Sequence, residues 1–162
     1  MPTNLFDHTF QPWRDHDGAR IVASEPGWRR PLAWDHAAFL NGARADFWVK
    51  DRPRVFINRD VFEDWTGPLL DSSGDVLCAK LPRGVGSHDT DPLTMQDVRD
   101  RLFRLIDSTP NLDWIVSTRF HENVAKMMPA YFPGGYIAEA GRMNQEGPRP
   151  NLWIEAAPED RR

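Results

Sequence analysis

Three short segments of the chain, residues 54–58, 113–118 and 151–157, carry nearly continuous apolar or aromatic residues. A run of this length without alternating polar positions is typical of a strand that is buried on both faces of a parallel sheet. Trp114 and Trp153 each lie inside one of these segments, so we expect both indole rings to be buried.

The clearest helix lies between the first two of these segments. Thr94 and Asp97 have the spacing of a capping box, in which each side chain binds the backbone N–H of the other residue. Pro110 is expected to stop the helix from continuing. One face carries the apolar residues Val98, Leu102, Leu105 and Ile106. This spacing predicts an amphipathic helix that packs against the sheet.

Three weaker patterns complete the set of predicted elements. Residues 119–132 have the spacing of a helix between the second and third strands, and residues 33–42 predict a helix that is capped by Asp35 and ended at Gly42. Residues 20–24 form a weaker strand candidate. We therefore expect strands to alternate with helices, as in parallel sheets with right-handed crossovers.

The remaining segments predict loops. Residues 1–30 are expected to be an irregular N-terminal segment, and residues 66–92 are rich in Gly, Pro, Ser and Asp, which predicts one long loop with a short hairpin around Ser73 and Gly74. The length fits a single domain. The predicted fold class is α/β, with residues 1–162 forming one domain that has a small parallel sheet and flanking helices.

The composition restricts the classes of function. Of 162 residues, 40% are hydrophobic and 27% are charged, and no apolar run approaches the roughly 18 residues that a membrane span needs. The first residues have acids and histidines where a signal peptide has a basic start and an apolar stretch, so we expect a cytoplasmic protein with no membrane partner. The net charge of −4 provides no basic field, which argues against nucleic acid as a partner.

The single cysteine, Cys78, limits cofactor chemistry within these residues. One thiol cannot form an internal disulfide or hold an all-cysteine zinc or iron–sulfur site. No histidine can be paired with Cys78 from the sequence, and the glycines near position 135 do not have the spacing of a phosphate-binding loop. We therefore expect no cofactor, no metal and no catalytic residue that the sequence can identify.

Polar residues follow the predicted strands at their carboxyl ends, where open α/β folds keep their ligand sites. The candidate ligand-binding residues are Asn58, Arg59, Asp60, Glu63, Thr118, Arg119, His121, Glu122 and Glu155. Arg119, His121 and Glu122 could position an anionic ligand beside the start of a helix. The alternative is structural: Thr118 or a neighbour caps the helix, Glu122 favours its first turn, and Arg119 pairs with an acid.

Two further groups could hold a metal ion through mixed oxygen and nitrogen ligands. Asp60, Glu63 and Asp64 lie near a strand end that His121 could approach, and His88 has two acidic neighbours in the long loop. Acidic residues at strand ends are more often helix caps and solvated turns. The sequence therefore favours the structural interpretation for both groups.

Four stretches together resemble, in the same order, the middle portion of the phage-borne radical-SAM-like protein family of unknown function. These stretches are GWRRPLAWDHAAFLNGA, RPRVFINRDVFEDWTGPLLDSSG, PLTMQDVRDRLFRLIDSTPNLDWIVSTRFHENVAKMMP and PNLWIEAAPEDR. The resemblance implies a sheet similar to a truncated, partial (β/α) barrel. Members of that family also carry an N-terminal three-cysteine motif for a four-iron cluster and continue past the last matched strand.

The matched region departs from the family pattern at the strand ends. The family has Thr-Lys-Arg-Pro-Glu after its second strand, where this chain has residues 118–122, TRFHE. Glu155 and its neighbours replace the glycine, small polar residue and valine after the third strand, and the small polar residues after the first strand are replaced by Ile57, Asn58 and Arg59. The apolar core residues of the strands and helices agree with the family pattern while the strand-end residues differ. This is the pattern expected of a fold that is retained after its catalytic residues are lost.

From this resemblance we expect a phage or prophage protein of the host cytoplasm. It would be a catalytically inactive, truncated relative of a radical-SAM-like enzyme, acting as a binding protein on a host protein or on itself. Sheet edges of this kind are commonly covered by a partner or a second copy. The alternative is a residual enzyme, or a protein that binds a small molecule or a metal through the strand-end residues.

Overall fold

The computed structural model describes residues 7–42, 52–78, 92–129 and 151–157. The helices are α1 (Glu25–Leu40), α2 (Met95–Asp107) and α3 (His121–Met127), and the strands are β1 (His8–Phe10), β2 (Trp13–His16), β3 (Ala19–Val22), β4 (Arg54–Ile57), β5 (Leu69–Leu70), β6 (Asp113–Thr118) and β7 (Leu152–Ala156). The α/β class is confirmed. In the described part of the chain, no helix has the length and apolar character needed to cross a bilayer.

The main sheet has four parallel strands in the order β1-β4-β6-β7. Each strand lies beside the previous strand of this sheet along the chain, so the sheet winds in one direction, as a partial (β/α) barrel does. The described strands form an open sheet and do not close into a barrel. All four strands therefore present their carboxyl ends at one edge, as the sequence predicted for three of them.

The core lies on one face of this sheet. Val55, Trp114 and Leu152 are neighbours in register on β4, β6 and β7, and all three are buried. Phe10 of β1 packs edge-on against Trp28 of α1 and against Trp114, at ring-centroid distances of 5.3 and 5.7 Å. The predicted stripe of α2 covers the same core through Val98, Leu102, Leu105 and Ile106. Burial of these rings and branched side chains is the main stabilising contribution.

The opposite face of the sheet is less covered. Cross-strand register places Thr9, Phe56, Ile115 and Trp153 in one row, and side chains in register share a face. The Phe56 side chain is 37% exposed and Trp153 is only partly buried. The expectation of a buried Trp153 was therefore wrong, because β7 turns this residue away from the face that the core occupies.

The prediction of an irregular segment over residues 1–30 was wrong for the described part. Residues 8–22 form three strands, and β2 pairs with β3 as an antiparallel hairpin around Asp17 and Gly18. Both turn residues have positive φ, 41° and 75°. A two-residue Asp-Gly loop is the strongest short-range hairpin signal because it matches the twist of the strands. The exposed residues of β2 hid the apolar pattern, and the Asp-Gly turn was the signal that could have identified the hairpin.

The helix predicted at residues 33–42 begins eight residues earlier than expected, at Glu25. Two prolines argue against a helix there, yet Pro26 lies in the first turn, where its missing N–H costs nothing, and Pro31 is buried inside the helix. Asp35 is therefore not the cap; its carboxylate accepts hydrogen bonds from the backbone N and side-chain Nδ2 of Asn111, at 2.8 and 3.2 Å. Gly42, with φ of 94°, follows the end of the helix as predicted.

The other helices agree with the sequence in part. The Thr94–Asp97 capping box of α2 is present. Helix α3 ends at Met127, earlier than predicted, and residues 130–132 lie outside the described residues. The N-cap of α3 is Phe120, a neighbour of Thr118, and it makes no side-chain cap bond; Thr118 Oγ1 instead accepts from the backbone N of Phe120.

A smaller sheet is built partly from the predicted long loop. Its order is β2-β3-β5, and β5 lies within residues 66–92. The hairpin predicted around Ser73 and Gly74 is present: Asp71 Oδ1 accepts from the N–H groups of Ser73 and Asp75, and Gly74 has φ of 90°. Residues 79–91, including the His88 group, lie outside the described residues.

His8 on β1 makes the stability depend on pH. Its ring stacks on Trp34 of α1, with centroids 4.2 Å apart, and partial burial lowers its pKa, a shift that the Asp7 carboxylate opposes. The His8 side chain then takes up a proton more readily in the unfolded chain than in the folded chain. Its contribution to the free energy of unfolding is therefore fully present above about pH 6.5 and declines as the pH falls below this value.

We expect the His8→Phe variant, which keeps a ring on Trp34, to lose less stability than the parent between about pH 7 and pH 5.5. Urea unfolding at each pH measures the difference. The matched control is His36→Phe on the exposed face of α1. Equal pH dependence in the parent and the His8→Phe variant would contradict the assignment.

Candidate ligand-binding cleft

A cleft of about 380 Å³ lies at the carboxyl ends of the parallel strands. The ends of β4, β6 and β7 form one side, and the β2–β3 hairpin of the smaller sheet forms the other. Its lining residues are Trp13, Asp15, Arg20, Ile57, Asn58, Arg59, Asp60, Glu63, Ser117, Arg119 and Ala157. The position is the one at which open α/β sheets bind ligands, and the volume suits a small molecule.

Asp60 organises the floor of this cleft. Its Oδ1 accepts hydrogen bonds from Thr118 Oγ1 at 2.6 Å and from the backbone N of Phe62 at 3.2 Å, and its Oδ2 accepts from the backbone N of Arg119 at 2.9 Å. Thr118 is fully buried, and its Oγ1 accepts in turn from the backbone N of Phe120 at 3.0 Å. These bonds fix the end of β4 to the end of β6, so the geometry of the cleft depends on one carboxylate.

Arg20 of β3 forms the buried wall. Arg20 is only 5% exposed, and its guanidinium lies 4.1 Å from the ring centroid of Trp65 and 5.5 Å from that of Trp13. The charge is balanced by Glu63, to which Nη2 donates, and by Asp15, whose Oδ1 lies 3.5 Å from Nε. Within the described residues, the buried Nη1 has no hydrogen-bond partner. A buried guanidinium nitrogen without an acceptor is unusual and calls for an explanation.

Two other arginines reach the cleft from the strand ends. Arg59 Nε donates to the backbone oxygen of Trp13 at 3.3 Å, and its Nη2 lies 4.0 Å from Asp15 Oδ2, which is a loose ion pair. Arg119 is exposed, and its guanidinium lies 6.0 Å from the ring centroid of Phe120. Three arginine residues therefore line one small cleft.

The structure brings together part of the predicted site. Five of the nine candidates, Asn58, Arg59, Asp60, Glu63 and Arg119, line the cleft, and Thr118 lies beneath it. His121 and Glu122 are exposed on α3, and Glu155 is exposed on β7, so none of the three lines the cleft. The grouping of Arg119 with His121 and Glu122 is therefore not found. Whether the remaining residues bind a ligand stays a prediction.

The half of the cleft that the smaller sheet provides was not predicted from the sequence. Trp13, Asp15 and Arg20 come from the hairpin in the segment that was expected to be irregular. Arg20 and its partner Glu63 are 43 residues apart, and no local pattern links them. The Asp-Gly turn was the one available signal.

The metal hypotheses gain no support from this arrangement. Among the described residues, no three His, Cys, Asp or Glu side chains are grouped so that they could hold a metal ion. Asp60 and Glu63 are instead engaged by hydrogen-bond donors of the protein. The Cys78 residue is exposed, and its backbone forms an isolated antiparallel β-bridge with Pro92.

A second cavity, of about 680 Å³, lies between the start of α2 and the β5 region. Its walls are mainly apolar, with Leu69, Leu93 and Met127 among them. Arg99 also borders it, but each guanidinium nitrogen of this arginine donates to an acceptor: Nε to Val61 O at 2.9 Å, Nη1 to Gln96 Oε1 at 2.6 Å and Nη2 to Glu63 O at 3.3 Å. Burial lowers the pKa of Arg99. Arg99 therefore has a structural role, because it joins α2 to the backbone of Val61 and Glu63. The strand-end cleft remains the better candidate for a ligand site.

Comparison of the chain with family models, with curated proteins and with solved structures finds no match to any of them. The function is therefore inferred from the residues and geometry of the cleft.

Proposed function

We propose that this chain is a binding protein without catalytic activity and that its ligand site is the strand-end cleft. The phage or prophage origin, the kinship with radical-SAM-like enzymes and the host cytoplasm as its location are proposals that rest on the family resemblance alone. A single cysteine in these 162 residues is consistent with a chain that does not use cluster chemistry of its own.

The observation that carries the proposal is the state of the carboxylates in the cleft. Asp60 accepts three hydrogen bonds, Glu63 accepts from Arg20, and Asp15 lies beside Arg20 and Arg59. A general base needs an uncommitted lone pair that faces the substrate, and a covalent mechanism needs an activated nucleophile. Neither His nor Cys is among the described residues that line the cleft. This arrangement favours binding over acid–base or nucleophilic catalysis.

A screen of thermal stability tests the proposal. A ligand that binds only the folded state raises the melting temperature, so we expect some members of a mixed set of anionic, neutral and cationic small molecules to stabilise the parent. The Ser117→Phe variant places a ring in the cleft and should remove the response, whereas Ser73→Phe in the exposed turn should keep it. Stabilisation that is equal in all three proteins would contradict the cleft as the site.

Association with a host protein or with a second copy is a second candidate function. It is favoured by the apolar row on the less covered face of the main sheet, where Phe56 is 37% exposed. Sedimentation velocity tests the self-association form: a dimer that Phe56→Lys dissociates, and that Leu40→Lys on α1 leaves intact, would support it. A parent protein that stays monomeric at high concentration would contradict self-association through this face.

A further inference from the structure

We infer that the strand-end cleft binds a compact oxyanion, a carboxylate or a phosphate, through Arg59 and Arg119 beside the buried Arg20. The inference rests on the proposed function, because it specifies the ligand class of the same site. The inference is based on a comparison of two groups in the cleft: acceptors that already bind donors of the protein, and donors that are left for a ligand.

Two of the three carboxylates that line the cleft, Asp60 and Glu63, are engaged by hydrogen-bond donors of the protein. Both oxygens of Asp60 accept from the protein, and one of these donors, Thr118 Oγ1, is fully buried. Glu63 is bound by the guanidinium of Arg20. Asp15, whose side chain is 69% exposed, lies between Arg20 and Arg59. A cationic ligand at Asp60 or Glu63 would have to displace a bound arginine or break the hydrogen bonds that join β4 to β6.

The donors, by contrast, are in surplus. Within the described residues, Nη1 of Arg20 has no hydrogen-bond partner. Arg59 donates through Nε to the backbone oxygen of Trp13, and its Nη2 makes only the 4.0 Å contact with Asp15. The guanidinium of Arg119 lies over the ring of Phe120. The partly exposed Arg59 and the exposed Arg119 can meet a ligand directly, whereas the Arg20 nitrogen is buried and adds an unmatched positive donor beside them. A ligand rich in acceptors would complete this set.

The chemistry of the donors specifies an oxyanion. A guanidinium group presents its N–H donors in a planar fork that matches the two oxygens of a carboxylate or a phosphate. Three arginines face three carboxylates in the cleft, so the formal charges cancel. Selection of an anion therefore depends on the surplus of oriented donors rather than on net charge. A volume of about 380 Å³ limits the ligand to a small molecule or a small anionic group.

Titration calorimetry with four probes tests the inference: inorganic phosphate, succinate, and two analogues of succinate, neutral 1,4-butanediol and cationic 1,4-diaminobutane. We expect phosphate or succinate to bind, and the stronger of the two identifies the oxyanion. Removal of one charge-assisted contact in Arg119→Gln should weaken this binding at least about tenfold. Arg59→Gln should act in the same direction. The matched control, Arg104→Gln on the exposed face of α2, should bind like the parent.

Three results would overturn the inference. If the diol or the diamine binds and neither anion does, the cleft is a ligand site of another class and the proposed function stands. If anion binding falls equally in Arg104→Gln and Arg119→Gln, the attraction is unspecific. If none of the probes binds, the oxyanion assignment fails, while the broader stability screen decides separately on the cleft as a binding site. Unfolding curves of each variant exclude loss of the fold as the cause.

Discussion

Replacement of Trp114 by Ala should lower the free energy of unfolding by about 3–5 kcal/mol, the range for truncating a large ring in a packed core. Trp114 is the second residue of β6, is fully buried and contacts the ring of Phe10. Its Nε1 donates to Thr109 Oγ1 at 3.0 Å, so the variant also leaves a buried hydroxyl with one fewer partner. Urea unfolding of the parent and the variant measures the change.

Trp153 is the matched control for this prediction. It lies on the neighbouring strand β7, but it is only partly buried and faces away from the core. Less apolar area returns to water when Trp153 is truncated, so Trp153→Ala should cost about 1–2 kcal/mol. Equal losses for the two tryptophans would mean that the sheet does not have one core face and one open face.

Replacement of Asp60 by Ala is the second large effect. It removes the acceptor for Thr118 Oγ1 and for the backbone N–H groups of Phe62 and Arg119. A buried donor without a partner costs about 1–3 kcal/mol, and water reaches the exposed donor at Arg119, so we expect a loss of about 2–4 kcal/mol in total. Ligand binding at the cleft should weaken at the same time, because Arg119 is no longer held beside β4.

Asp64→Ala is the control, since Asp64 is exposed and close in sequence. It should change the free energy of unfolding by less than about 0.5 kcal/mol, as surface substitutions usually do. An Asp60→Ala variant as stable as Asp64→Ala would contradict the role of Asp60 in joining the two strand ends.

The central strands and α2 could be predicted from the sequence because each carries its signal locally. Strand β6 is a continuous apolar run, and α2 combines a capping box with an apolar stripe. The carboxyl-end position of the cleft followed from the parallel strands. Five of its eleven lining residues could therefore be named in advance.

The rest of the site could not be predicted because it depends on contacts between distant segments. Strand β2 buries Trp13 and exposes the next three residues, so it lacks the apolar alternation of a strand. Arg20 appears in the sequence as an ordinary polar residue of a weak strand, and its burial between two tryptophans depends on the fold around it. Helix α1 includes Pro31, which local propensity excludes, because burial of Trp28 and Pro31 against the core outweighs the missing hydrogen bond.

The most direct test of the cleft as the binding site is a map of backbone amide chemical shifts in the ¹⁵N-labelled protein during titration with the anion that binds more strongly, phosphate or succinate. We expect the largest shifts at Asn58, Arg59, Arg119 and Ala157, around the strand ends. In the parent and in Arg104→Gln, these shifts should reach a plateau as the anion concentration rises. In Arg119→Gln, they should not saturate over the same concentration range. Shifts confined to the residues around the second cavity, such as Leu93 and Met95, or saturation unaffected by Arg119→Gln, would contradict the cleft as the binding site.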